Sequence, residues 1–209
     1  MAVLDELHEK IMKGKRKVTG PLVQQALDEG IDPEEILNVM VDAMSVIGER
    51  FSKGEAFVPE MLVAARAMSA ATEVLKPAMV AEGTEPLGHA VIGTVKADMH
   101  DIGKNLVRMM IEGKGVEIVD LGVDVEPERF VEHLKEHPEC KVVCLSSLLT
   151  TTMPNLEATI KAIEDAGLRD RVKIMVGGAP VTQEFADKIG ADAYTVDAGA
   201  AAERIAEFF

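Results

Sequence analysis

The run Asp98-Met99-His100-Asp101-Ile102-Gly103-Lys104-Asn105 holds the residues best suited to chemistry in this chain. A neutral imidazole binds transition metals through one ring nitrogen. Its other nitrogen then needs a partner, usually a carboxylate, that fixes tautomer and ring direction. Asp98 lies two residues before His100 and is placed to be that partner. Gly103 lacks a side chain, which lets a bulky ligand approach the backbone. The same pattern also serves a loop histidine that hydrogen-bonds a neighbouring acid and binds no metal. Asp101 reads as the N-cap of the helix that follows rather than as a ligand. His8, His89, His133 and His137 show no partner pattern and are expected at the surface.

The elements around this run give it a place. Ala90-Val91-Ile92-Gly93-Thr94-Val95 reads as a buried strand leading in, and a helix with Leu106, Val107, Met110 and Ile111 on one face leads out. A loop after a strand is where open α/β sheets place ligands. From residue 89 onward the pattern alternates. Strands are expected at 90–95, 116–121, 142–145, 174–176 and 193–196, and helices near 103–113, 127–136, 154–166, 182–189 and 198–208. Alternating βα units imply a parallel sheet wrapped by helices, here a five-stranded flavodoxin-like (Rossmann-like) domain. Two more strand ends are unusual. The third runs into Ser146-Ser147-Leu148-Leu149-Thr150-Thr151-Thr152, a row of hydroxyls, and the fourth ends at Gly177-Gly178-Ala179, where missing side chains open space. No G-x-G-x-x-G follows the first strand and no Walker glycine loop is present, which argues against dinucleotides and nucleoside triphosphates.

Residues 1–80 read as helices only. Val3, Leu4, Leu7 and Ile11 form one stripe that stops at Gly14, and Leu22, Val23, Ala26 and Leu27 form a second that stops at Gly30. Asp32-Pro33-Glu34-Glu35 is a helix start: a capping side chain, then proline, then acids in the first turn. Ile36, Leu37, Met40, Val41, Met44 and Ile47 recur at helical spacing after it. Pro59 is expected to open a fourth helix with Leu62, Ala65, Met68, Thr72 and Leu75 on one side, and Pro77 to end or kink it. Four amphipathic helices with short connections make an N-terminal four-helix bundle. The expected organisation is a bundle over 1–80, a linker over 81–88 and the sheet domain over 89–209.

Composition excludes several classes. The net charge of −14 opposes binding nucleic acid through phosphates. No apolar run approaches the roughly 18–20 residues needed to cross a bilayer. The N-terminus lacks the order of a signal peptide, so a cytoplasmic location is expected. Cys140 and Cys144 flank a buried-looking strand and read as structural thiols.

Asp98-x-His100-x-x-Gly103, then Ser146-x-Leu148, then Gly177-Gly178 resembles the D-x-H-x-x-G…S-x-L…G-G signature of cobalamin-binding domains of the methionine synthase class. The bundle resembles that family's helical cap, most clearly in Arg50-Phe51-Ser52-Lys53-Gly54-Glu55-Ala56-Phe57-Val58-Pro59. Cap and sheet domain together are similar to the free-standing corrinoid proteins of anaerobic methyltransferase systems. The resemblance implies cobalamin, a cobalt corrinoid, as cofactor, with methylcobalamin as its loaded form. It implies that His100 is the lower cobalt ligand in place of the cofactor's own dimethylbenzimidazole, the base-off, histidine-on state. Asp98 would hold the imidazole and Thr152 would complete a relay, a threonine where the family has serine. Ser146 would bond the displaced base, and Leu148, Thr150, Gly177 and Gly178 would line the slot for the nucleotide tail. Met99, Asp101, Ile102 and Gly103 would belong to the cofactor contact. Phe51 and Val58 would cover the upper corrin face, with the cap swinging aside on the linker; on periodicity alone they are ordinary bundle core. The implied function is methyl carriage between a substrate-specific methyltransferase and a second methyltransferase acting on a thiol or tetrahydropterin, with a reductive activase as a further partner. Methanol, methylamines or methoxylated aromatics would be donors. A cobalamin-dependent regulator, the small subunit of an adenosylcobalamin mutase, or a flavodoxin-like domain without cobalt are the alternatives.

Overall fold

The computed structural model describes residues 2–82 and 86–209. Gly83, Thr84 and Glu85, at the centre of the expected linker, lie outside the described residues. The chain sorts into two compact units. One takes in the residues up to Leu87 together with Met109–Gly115; the other takes in Gly88–Arg108 and Val116–Phe209.

The first unit is helical: α1 (Ala2–Met12), α2 (Arg16–Asp28), α3 (Pro33–Ser52) and α4 (Val58–Glu82). Helix α1 buries Val3, Leu4, Leu7 and Ile11, the i, i+3, i+4 stripe of a surface helix. Helix α3 begins as its sequence demands. The Asp32 carboxylate accepts from the Glu34 N–H at 2.8 Å and Pro33 takes the first position, where no amide donor is needed. Helix α4 differs from expectation in two ways. Its buried face is Met61, Ala64, Ala65, Ala67, Met68, Ala71 and Leu75, while Leu62 and Thr72 are half-buried. Alanines all round this helix leave little amphipathic contrast to set its phase. They also let neighbours approach, so that the buried Thr19 hydroxyl donates to the Ala67 carbonyl at 2.8 Å. Second, of the two outcomes expected at Pro77, an end or a kink, the helix does not end there but runs on to Glu82. Proline's fixed φ is itself helical, so the ring removes one hydrogen bond without stopping the turn.

The second unit is built on β1 (Gly88–Thr94), β2 (Val116–Asp120), β3 (Cys140–Ser146), β4 (Lys173–Gly177) and β5 (Ala193–Tyr194). All pair in parallel in the order β2-β1-β3-β4-β5. Helices α5 (Ile102–Glu112), α6 (Pro127–Glu136), α7 (Pro154–Asp165), α8 (Gln183–Lys188) and α9 (Ala198–Ala206) fall between and after the strands. From β1 the chain steps outward to β2 and then crosses to β3 on the other side. The topological switch point therefore lies between the loops leaving β1 and β3. Register brings three strand ends level: Thr94 pairs with Ser146, and Ser146 with Gly177. Strand β5 is shorter than expected and stops before Val196, which is 77% exposed.

Val91, Val143, Leu145, Ile174 and Val176 join Phe130, Leu134, Leu156, Ile160 and Ile163 in one core cluster. Gly93 admits Phe130, because a Cβ there would come within 2.7 Å of its ring. Cys140 and Cys144 are free and buried. Burial pushes the Cys140 thiol up to about 11 and raises Cys144 as well, so both are inert structural thiols. His133 corrects an expectation: it is buried, not at the surface, and stacks on His137 with ring centroids 4.5 Å apart. Its position three residues after Phe130 carries it onto the apolar face of α6, and burial lowers its pKa. His8, His89 and His137 pair with Asp42, Glu117 and Glu139. Among the described residues no helix is long and apolar enough to cross a membrane.

Candidate functional site

The loop from Val95 to Asp101 is held on every side. Thr94, fully buried at the end of β1, donates its hydroxyl to the His100 carbonyl at 2.8 Å. Asn155 at the start of α7 donates to the Lys96 carbonyl at 2.7 Å. Ala97 and Asp124 both adopt positive φ, 62° and 52°, a region that side chains other than glycine seldom occupy. They secure each other: the Asp124 carboxylate accepts from the Ala97 N–H at 2.6 Å, and the Asp124 N–H donates to the Asp98 carbonyl at 2.9 Å. At the helix that follows, the buried Lys104 ammonium bonds the Asp120 carboxylate at the end of β2 and Asn105 at 2.9 Å. Local strain is thus fixed by two neighbouring loops, as at a site that must hold one geometry.

The fixed loop sets Asp98 beneath His100. Oδ1 of Asp98 meets Nδ1 of His100 at 3.0 Å and the His100 N–H at 3.1 Å. Oδ2 accepts from the Leu148 N–H at 2.7 Å and the Thr152 hydroxyl at 2.8 Å. Burial alone would raise the Asp98 pKa, since the side chain is fully enclosed. The bonds from Leu148, Thr152 and His100 outweigh it and hold the carboxyl well below the usual carboxylate range. An ionised acceptor makes Nδ1 the donor of the imidazole pair, and the bare nitrogen is then Nε2. The His100 side chain is 51% exposed, so that nitrogen can meet a ligand.

The other expected residues fall around the same edge. Ser146 is half-buried at the end of β3, and Leu148 and Thr150 are exposed on the loop after it. Met99 and Ile102 flank His100 at 69% and 76% exposure. A Cβ on Gly103 would meet nothing within 4 Å, and one on Gly177 would find its nearest neighbour 3.8 Å away, so both leave room. Gly178 is different. Its φ is 134°, and a Cβ there would lie 1.8 Å from the Ser147 carbonyl oxygen, so this glycine admits the backbone of the neighbouring loop. The Asp101 carboxylate accepts from the Asn105 side-chain amide at 3.2 Å. Phe51 is half-buried near the end of α3 and Val58 is exposed at the start of α4, both in the helical unit. Sequence reading missed Thr94, Asp124 and Ser147. Ser147 stood in the hydroxyl row, but nothing in the row says which hydroxyls face inward.

Among the described residues no group of three or more His, Cys, Asp or Glu could hold a bare metal ion. A lone histidine suits a metal that brings its other ligands in a macrocycle. Met99, Leu148, Leu149 and Val196 on the loops at this edge, and Ile102 at the start of α5, are exposed apolar side chains that suit the body of such a ring. The donor set and the open glycines thus fit a large metal-centred cofactor. A parallel sheet whose switch point presents a carboxylate-held histidine fits the class of metallocofactor-binding proteins.

Comparison with known proteins narrows the class. The B12 binding domain family matches residues 88–206, and a second B12 binding domain family matches residues 3–76. Trimethylamine corrinoid protein 1 of Methanosarcina acetivorans is 42% identical over 195 residues, 92% of this chain and 90% of its own length. A cobalamin-binding protein from Desulfitobacterium hafniense DCB-2 superposes with a TM-score of 0.82 at 29% identity, covering 99% of this chain and 98% of that one. The monomethylamine corrinoid protein of Methanosarcina barkeri is 35% identical with a TM-score of 0.57, covering 100% and 99%. This chain belongs to the B12-binding family of corrinoid proteins, and its cofactor is cobalamin.

Proposed function

We propose that this corrinoid protein is a methyl carrier for a methylamine-using system. It receives a methyl group from an amine held on a substrate-specific methyltransferase and delivers it to a thiol or tetrahydropterin held on a second methyltransferase, with a reductive activase returning oxidised cofactor to service. The methylamine assignment is supported by two relatives of matching length, one named for trimethylamine and one for monomethylamine. When bound, cobalamin supplies a cobalt centre able to accept and release a methyl group.

The residues of the chain then bind, orient and tune. His100 would hold the cofactor's metal through Nε2, in place of the cofactor's own dimethylbenzimidazole. Asp98 fixes the ring and Thr152 supports Asp98. Ser146, Leu148, Thr150 and Gly177 would line the slot for the displaced tail, Gly178 would back it by admitting the Ser147 backbone, and Met99, Ile102 and Gly103 would meet the cofactor. Phe51 and Val58 are proposed as the apolar cover of its opposite face. The observation that carries this proposal is the buried, ionised Asp98 gripping Nδ1 of a half-exposed histidine.

Electron paramagnetic resonance of the cobalt(II) form tests it. The expected spectrum shows superhyperfine splitting from one axial nitrogen. Labelling histidine with the heavy nitrogen isotope should turn each triplet into a doublet, and His100→Ala should abolish the histidine contribution. Splitting that ignores the histidine label would reject histidine ligation. Methyl loading from trimethylamine or monomethylamine, with their methyltransferases, tests the donor class.

A further inference from the structure

Behind Thr152 lies a second hydroxyl that the relay so far described does not use. Ser147 is fully buried, and its Oγ stands 2.8 Å from Thr152 Oγ1 and 3.4 Å from the Leu149 carbonyl oxygen. Thr152 Oγ1 in turn has three neighbours: Asp98 Oδ2 at 2.8 Å, Ser147 Oγ at 2.8 Å and the Leu149 carbonyl at 2.9 Å. Each hydroxyl has one hydrogen to give.

We propose that Ser147 is a positioning residue of the cobalamin site: its hydroxyl donates to Thr152 and thereby turns the Thr152 hydrogen onto Asp98. The count of hydrogens supports this arrangement. If Thr152 gives its hydrogen to the carboxylate, the only donor left for the Thr152 oxygen among the described residues is Ser147. The order Ser147 to Thr152 to Asp98 uses both hydrogens at 2.8 Å and ends on the charged acceptor, where a hydrogen bond is strongest. Bonds in such a chain polarise one another. Without the Ser147 hydroxyl, the Thr152 hydrogen is shared between Asp98 and the Leu149 carbonyl, which lie at nearly equal distances. The main chain is arranged to hold Ser147 there. Its N–H donates to the Gly177 carbonyl at 3.1 Å, and its own carbonyl fills the space that a side chain at Gly178 would need. One role of the diglycine is thus to seat the inner end of the relay.

The consequence has a sign. Leu148 and His100 amides still hold Asp98 in place when the hydroxyls go. A carboxylate that loses a donor on Oδ2 keeps more charge for Oδ1, and so pulls harder on Nδ1–H of His100. Ser147 therefore moderates the histidine. This rests on His100 as the cobalt ligand, and two readouts separate the claims. In the cofactor-free full chain at alkaline pH, the His100 Nδ1–H proton resonance should move downfield in Ser147→Ala and in Thr152→Ala. In the cobalamin-loaded protein the ratio of histidine-bound to histidine-free cobalt(II) should rise about two- to tenfold. Ser147→Cys keeps the branching with a bulkier, weaker donor and should fall between wild type and Ser147→Ala; it also serves if the alanine variant does not fold. An upfield or unmoved Nδ1–H resonance in Ser147→Ala, or in Ser147→Cys where that is the variant studied, overturns the proposal. A downfield resonance with unaltered cobalt(II) spectra keeps Ser147 in the relay and removes the ligand assignment beneath it.

Discussion

Asp98 accepts hydrogen bonds through both of its carboxylate oxygens. Every donor around it is an N–H or O–H: two on the Oδ1 side and two at close range on the Oδ2 side. In Asp98→Asn, whichever way the amide turns, its NH2 group meets an N–H donor. If it faces Leu148, two donors stand 2.7 Å apart. That conflict should destabilise the fold by about 1–3 kcal/mol. The lost charge should weaken histidine ligation about 10–100-fold, the range typical of partners behind metal-bound histidines. Thermal unfolding and cobalt(II) spectra of the same sample check both effects. Unchanged ligation in a destabilised variant would reduce Asp98 to a loop brace. Asp98 and His100 were legible because a motif fixes their spacing, and Thr152 only through the family resemblance. Ser147 and Asp124 were not, because inward and outward directions on a tight loop follow no period. Asp124 acts from another strand's loop through a backbone conformation that no residue type announces.

Elements were read within a residue or two where apolar runs meet glycine or proline, as at β3 and α6. The phase of α4 was lost because alanine buries readily on any side. Strand β5 is a shorter case. It lasts only as far as Met175 and Val176 offer partners, and sequence carries no sign of that limit. What fastens this edge is Asp192. Its Oδ2 accepts from the Ile174 N–H and from Arg169, both at 2.8 Å, and Oδ1 meets Lys173 at 3.2 Å. Burial would raise the Asp192 pKa, but the Ile174 N–H, Lys173 and Arg169 lower it. A depressed carboxylate contributes stability that is present above its unfolded pKa, about 3.9, and is lost as pH falls through the folded value. Asp192→Asn should therefore be less stable than wild type at neutral pH, by about 1–2 kcal/mol. The gap should narrow below about pH 4. Urea unfolding across that range checks the sign; a gap that widens on acidification would remove Asp192 as the fastener.

At the scale of the molecule, the two units do not divide the chain at one point. The three motif stretches at residues 98–103, 146–148 and 177–178 and all five strands of the sheet lie from Gly88 onward, yet Met109–Gly115 clusters with the helices. Within that stretch Gly113 sits where a Cβ would come 3.1 Å from Met44, and Lys114 donates to the Ser45 hydroxyl at 2.7 Å. Met110 and Ile111 are buried. A fragment of residues 88–209 therefore keeps the sheet and the histidine loop but leaves the second half of α5 without the helices it clusters with. Exposing one or two such side chains costs about 2–4 kcal/mol. The fragment is expected to fold with a lower unfolding midpoint than the intact chain and to bind one cobalamin. Because a ligand that binds only the folded state stabilises it in proportion to the logarithm of its concentration, cobalamin at 100 times its Kd should return about 2.7 kcal/mol. Denaturant titrations of the fragment with and without cobalamin measure this directly. A fragment that stays unfolded in excess cofactor would mean that the sheet unit depends on the helical unit for folding, and that the matched B12 binding region over 88–206 is not an independent domain.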